Sequence, residues 1–183
     1  IGYYGNSGSM ILNETSGPHD DFAHELCAKW ESAAQEAESF GVRVCILRTG
    51  LVIGNDGGFL KRMLPSFKLG LGGPIADGQQ WMSWIHRTDF IAIIDKLLES
   101  TVLQGIFNAT APEPVTNAEF TQTLGKVLNR PTLLPLPAFA LKILLGEMSI
   151  LLIGGQRVLP GRIVQAGFEF QFKTLEQALM DVL

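Results

Sequence analysis

The stretch RVCILRTGLVIGNDGG, residues 43–58, decides how this chain is read. A short apolar run, Val42 to Leu47, ends in a cation and then in a glycine-bearing loop. Apolar runs of this length, bounded by turn residues, fit strands buried on both faces of a parallel sheet. Such strands deliver loops at their carboxyl ends, where α/β sheets place their ligands. The pattern predicts a ligand-facing loop at Arg48, Thr49, Gly50 and Leu51.

The neighbouring segments extend the pattern. Asp20 or Asp21 can cap a helix running to about Phe40, which Gly41 ends. Phe22, Leu26, Cys27, Trp30, Ala33, Ala34 and Ala37 recur along it at the spacing of one apolar face. Gly2 to Gly8 reads as a loop leaving a strand. Downstream, Phe59 to Lys68 reads as a helix and Gln80 to Ile85 as a second strand. Thr88 or Asp89 caps a helix with Phe90, Ile91, Ile94, Leu97 and Leu98 on its inner side. Gly105 to Ala109 reads as a short strand, and Thr116 or Asn117, with Glu119 nearby, starts another helix. From Pro131 the texture becomes Pro- and Leu-rich, with two or three short helices expected, the last from Thr174. The alternation to about residue 129 predicts an α/β parallel sheet (residues 1–129), followed by a small, mostly helical C-terminal part (130–183).

Composition narrows the function classes. Hydrophobic residues make up 46% of the 183 and charged residues 17%, which excludes a disordered chain. Mean hydropathy of +0.22 is high for a complete soluble protein, and fits an apolar surface that packs on further chain. The net charge is −4, and no block of basic residues occurs, which argues against nucleic-acid binding through phosphate neutralisation. Cys27 and Cys45 form no CxxC pair, and His19, His24 and His86 are scattered, so no metal site is expected. Two reduced thiols suit a cytoplasmic protein. The apolar stretch from Ala138 to Gly155 carries Lys142 and Glu147 and is broken by Gly146, so it does not read as a membrane span.

Several motifs in order carry a resemblance. They are IGYYG at 1–5, FAHELCAKWE at 22–31, LRTGLVIGNDGG at 47–58, LGLGGPIADGQQWMSWIHRTD at 69–89, GIFNATAPEPVTNAEF at 105–120 and GGQRVLPGRIVQAGFEF at 154–170. The chain resembles extended short-chain dehydrogenases/reductases of the NAD-dependent epimerase/dehydratase type. Within these it resembles the family with a small C-terminal domain of unknown function. The resemblance implies the C-terminal half of a Rossmann-type doubly wound parallel sheet. The Gly-rich phosphate loop does not occur here, and the resemblance implies that it lies upstream of Ile1.

The resemblance also implies roles. It implies an NADP or NAD cofactor, whose nicotinamide end would meet Arg48, Thr49, Gly50 and Leu51. A small, sugar-like substrate would meet Tyr3, Trp84, His86 and Arg157, the last through a phosphate or carboxylate. Active relatives carry a Tyr-x-x-x-Lys pair on the helix that begins here at Phe22. One register puts Ala23 and Cys27 in those places, the next puts Phe22 and Leu26, and neither supplies Tyr or Lys. Tyr3, His86 and Cys27 are the remaining catalytic candidates. Each also has a structural reading: packing on a sheet edge, a backbone-bonded His at a helix start, and a core thiol. Two functions stay open, an NAD(P)-dependent epimerase or oxidoreductase and a non-catalytic dinucleotide-binding sensor or interaction module. A homodimer is left open as well.

Overall fold

The computed structural model describes residues 1–18, 21–55, 57–139, 143, 146 and 153–183. The chain opens on a 3₁₀ turn, Gly2–Tyr4, where a loop was expected. Strand β1 (Ile11–Leu12) follows, then helix α1 (Phe22–Gln35), which tightens into a 3₁₀ segment, Glu36–Phe40. Asp21 caps α1 by accepting from the His24 amide, and Gly41 ends the 3₁₀ segment in the left-handed conformation (φ 75°).

The opening stretch forms two strands, β2 (Cys45–Thr49) and β3 (Leu51–Ile53), with Gly50 between them. The predicted strand is displaced by three residues at its start, where Val42 is exposed. Pairing sets this boundary: Cys45 through Thr49 run parallel to Gly105 through Ala109, which form β6. Beyond Gly50 the chain changes partner. Strand β3 runs parallel to β5 (Trp84–His86). The expected strand at Gln80–Ile85 is likewise split: β4 (Trp81–Met82) pairs antiparallel with β7 (Val115–Thr116), and β5 starts after Ser83.

Helices α2 (Gly58–Lys68), α3 (Arg87–Glu99) and α4 (Asn117–Leu128) stand where the sequence puts them. The Thr116–Glu119 capping box is complete. On α3 the fully buried apolar residues are Ile93 and Leu97, while Ile91 and Leu98 face outward. Strand β8 (Arg157–Val158), helix α5 (Gly161–Gln165) and helix α6 (Leu175–Val182) follow. Most of the apolar stretch at 138–155, with Leu141, Leu144, Leu145, Met148 and Leu151 read as core or interface, lies outside the described residues. So do His19 and Asp20.

Among the described residues three core clusters hold the fold, and the C-terminal segment contributes to each, Val158 joining Tyr4 and Leu12 in the smallest. Phe172, Leu175, Ala178 and Leu179 pack with Ile53, Leu60, Trp84, Phe120 and Leu124. Ile163 and Phe170 pack with Ile85, Ile93, Leu97 and Phe107. Strand β8 also pairs parallel with β1, 146 residues earlier at Ile11 and Arg157.

Helix α1 departs from expectation. None of its residues is buried, and the stripe chosen for its hydrophobicity faces solvent, with Phe22 80% and Trp30 65% exposed. The side that meets the protein carries Ala23, Cys27 and Glu31, spaced one turn apart. An exposed apolar stripe fits the surface expected to pack on further chain; within this chain, α1 is tied to the sheet by polar contacts.

Candidate functional site

Those contacts converge on Arg48. Its side chain lies beneath the turn that begins the chain and is 5% exposed. Nε and Nη2 each donate to a Glu31 carboxylate oxygen at 2.7 Å, a two-bond fork on one carboxylate. Nη1 donates to the Tyr4 hydroxyl at 3.0 Å, and that hydroxyl donates to Asn108 Oδ1 at 2.8 Å. The Tyr3 ring lies 3.3 Å from the guanidinium carbon. Burial alone would push the Arg48 guanidinium down; the bonds and charges of Glu31 and Tyr4 outweigh it and hold the group above its ordinary value. Burial pushes the Tyr4 phenol up, against the pull of Arg48 and Asn108. Glu31, Tyr4 and Asn108 carry no periodic signal; the one cue in the sequence is a lone acid on the Ala23–Cys27 face of α1.

Residues 1–4 pack on this corner. The Ile1 nitrogen donates to the Thr49 carbonyl at 2.8 Å. Cys27 packs against Gly2, where an added β-carbon would lie 3.6 Å from its Sγ. Tyr3 holds His24, its carbonyl 3.0 Å from Nδ1 and its ring 4.6 Å from the imidazole. The structure thus gathers Tyr3, Cys27, Arg48 and Thr49 at the carboxyl end of β2.

Gly50 is the point where the strand changes partner. Its amide donates to Ala109 O, and the Leu51 amide donates to Ser83 O. A β-carbon on Gly50 would sit 2.5 Å from Ser83 O, so the close approach that requires glycine is to the chain's own backbone. Gly50→Ala is expected to lower stability by about 1–3 kcal/mol, the usual range for forced overpacking. A urea unfolding series reads this directly, and an unchanged midpoint would refute it. Thr49 is half-buried, and its hydroxyl makes no hydrogen bond among the described residues.

Trp84 and His86 go elsewhere. Trp84 is fully buried in the larger core, with its indole N–H given to Glu113 O at 2.9 Å. His86 is 2% exposed and takes the capping place on α3: Nδ1 accepts from the Thr88 amide at 3.1 Å. Its Nε2 lies 3.3 Å from Asp181 Oδ2, and its ring stacks on Phe172 at 3.8 Å. Asp89, read as a cap, instead accepts from the Gln171 and Phe172 amides. Neither Trp84 nor His86 presents a surface to a ligand; both join the C-terminal segment to the sheet. Arg157 packs on the Trp81 ring at 4.3 Å, and its Nε is buried without a hydrogen-bond partner among the described residues.

Burial holds the His86 imidazole below its ordinary value, with the charges of Asp181 and Asp89 opposing and Arg87 adding. A folded-state value below the unfolded one means that the unfolded chain takes up the proton first, so stability falls as pH drops below about 6.5. The urea midpoint should therefore decline between about pH 7.5 and 5.5. His86→Asn, which keeps a capping acceptor, should flatten that decline. An equal slope in both proteins would exclude His86 as its source.

Comparison with known proteins places this geometry. The model of the NAD dependent epimerase/dehydratase family matches residues 3–109, and that of a domain of unknown function (DUF1731) matches residues 136–182. The chain belongs to the NAD-dependent epimerase/dehydratase family. It is 44% identical over 183 residues to the chloroplastic epimerase family protein SDR39U1 homolog of Arabidopsis thaliana, covering all of this chain and 52% of that protein. The crystal structure of human epimerase family protein SDR39U1 (isoform 2) with NADPH superposes with a TM-score of 0.94 at 38% identity, over 100% of this chain and 62% of that one. A nucleoside-diphosphate sugar epimerase from Corynebacterium glutamicum gives 0.77 at 33% identity, over 100% and 35%. The chain thus spans less than two thirds of the length of these family relatives. The Rossmann-type α/β fold expected from the sequence is the fold observed. Among the described residues no helix is long and apolar enough to cross a membrane.

Proposed function

We propose that this chain forms the nicotinamide-side wall and the substrate side of an NAD(P)-dependent epimerase or oxidoreductase, with NADP(H) as the favoured cofactor. The observation that carries the reading is the partner change at Gly50, where the parallel pair β2–β6 reaches its carboxyl end and the pair β3–β5 begins. The uncommitted Thr49 hydroxyl fits a carboxamide there. Gly50 and Leu51 would supply the backbone beside it, and Arg48, tied to Glu31 and Tyr4, would position Tyr3 and the end of β2. The NADPH of the human relative supports the cofactor choice. When bound, a nicotinamide supplies or accepts the hydride; the chain orients it and limits water.

Saturation-transfer NMR of NADPH on the full chain tests this. Nicotinamide and adjoining ribose protons should receive more saturation than adenine protons. Thr49→Val should weaken the nicotinamide signal about fivefold, the loss of one hydrogen bond of about 1 kcal/mol. A signal centred on the adenine, or indifference to Thr49→Val, would refute it. The second reading, a non-catalytic cofactor sensor, is favoured by Ala23 and Cys27 on the α1 face that meets the chain start. Oxidation of NADPH with any carbonyl compound in a screen, reduced by Tyr3→Phe, would exclude it.

A further inference from the structure

Charge is unevenly placed along this chain. Residues 57–76 and 120–139 hold Lys61, Arg62, Lys68, Lys126 and Arg130 and no Asp or Glu, although the whole chain carries a net charge of −4. The fold brings the two segments together. Arg130 Nε donates to Lys68 O at 2.9 Å across the end of α2, and a β-carbon on Gly70 would meet the Pro131 ring at 3.6 Å. The Leu134 amide donates to Gly72 O, and the Leu136 amide to Pro74 O. We infer that this face docks on the surface of an anionic lipid bilayer, lying on it without crossing it.

Two kinds of side chain meet here. Lys126 is paired with Glu176 at 2.7 Å, and the other four cations stand exposed. On α2, Lys61, Pro65 and Lys68 share the outward side at positions i, i+4 and i+7, while Leu60 and Phe67 are buried. Beside these cations, Leu69 is 74% exposed, Leu71 57% and Leu133 81%. Leucines left in water next to cations fit a bilayer interface, which takes both: the acyl boundary receives the leucines and the head groups receive the cations. Lys and Arg stems lie along apolar surface while their charged ends reach the phosphates. The cross-links at Lys68, Gly72 and Pro74 hold the surface in shape before it docks, so little freedom is lost on binding. The surplus of acids in the rest of the chain turns the other faces away from the same membrane.

The test is sedimentation of the full chain with vesicles of phosphatidylcholine, made with and without phosphatidylglycerol, against a run without lipid. The chain should bind the mixed vesicles and not pure phosphatidylcholine, and added salt should weaken the binding. Lys68→Glu should weaken it at least about fivefold through the lost attraction to the head groups. Leu133→Ser should weaken it by a similar factor, about fivefold, through the lost apolar contact. Trp30→Ser, on the exposed face of α1, should leave binding unchanged. Circular dichroism of each variant checks the fold. No binding to the mixed vesicles would overturn the inference, as would equal binding to both kinds. Loss of binding in Trp30→Ser, with Lys68→Glu and Leu133→Ser unchanged, would overturn it as well, by moving the contact to α1. Poly-L-glutamate stands in for an acidic protein. Its capture of the chain, blocked by Lys68→Glu and seen without vesicle binding, would assign the face to a protein partner and refute the membrane reading.

Discussion

Replacing Glu31 by alanine is expected to release helix α1 from the sheet and to lower stability by about 3–5 kcal/mol, the cost of stripping one partner from a buried ion pair. The Arg48 side chain is 4% exposed and that of Glu31 12%, and their shortest contact is 2.7 Å. Without the carboxylate, Arg48 keeps its charge and, among the described residues, retains only the Tyr4 hydroxyl as a hydrogen-bond partner. Because α1 buries no residue of its own, the pair is its deepest attachment. That sets a limit on the loss. If α1 undocks first, water reaches Arg48 and the global midpoint falls by less than the full amount. Two measurements separate these routes, the urea midpoint and hydrogen exchange of the α1 amides. Glu31→Gln keeps the shape and one acceptor and should lose about half as much. Unchanged midpoint together with unchanged α1 protection in Glu31→Ala would sink the idea.

What the sequence made legible was local. The strand Gly105–Ala109, the Thr116–Glu119 box and the Thr174 cap are fixed by residues a few positions apart, and all three form as read. What it hid depends on distant partners. The start of β2 is set by its register with β6, 60 residues on, which no apolar run encodes. The stripe on α1 was visible, but which side of the helix meets the protein is decided by Glu31 and Arg48. Asp89 stands where a helix cap would stand, yet its partners lie 82 and 83 residues away. Of the two readings of His86, the backbone-bonded residue at a helix start is the one that forms.

The second large effect concerns that distant attachment. Asp89→Ala is expected to cost about 3 kcal/mol or more, since each hydrogen bond to a charged group contributes about 1.5–3 kcal/mol. The carboxylate is 2% exposed; Oδ1 accepts from Gln171 N at 2.9 Å and Oδ2 from Phe172 N at 3.0 Å. Removing it leaves both amides without that acceptor and frees the backbone beneath Phe172, whose ring stacks on His86. Here, unlike at α1, no cheap local release exists. Phe172 begins the stretch that places Leu175 and Leu179 against Trp84 and Phe120, so undocking the C-terminal segment opens the main core. The whole loss should therefore appear in one cooperative transition, with the buried Trp84 reporting it by fluorescence. Asp89→Asn should fall between, because its amide offers one acceptor and turns a donor toward the second N–H. A midpoint for Asp89→Ala within about 1 kcal/mol of the parent, or a C-terminal segment that loses exchange protection while Trp84 stays buried, would show that α6 is an independent appendage and not part of the core.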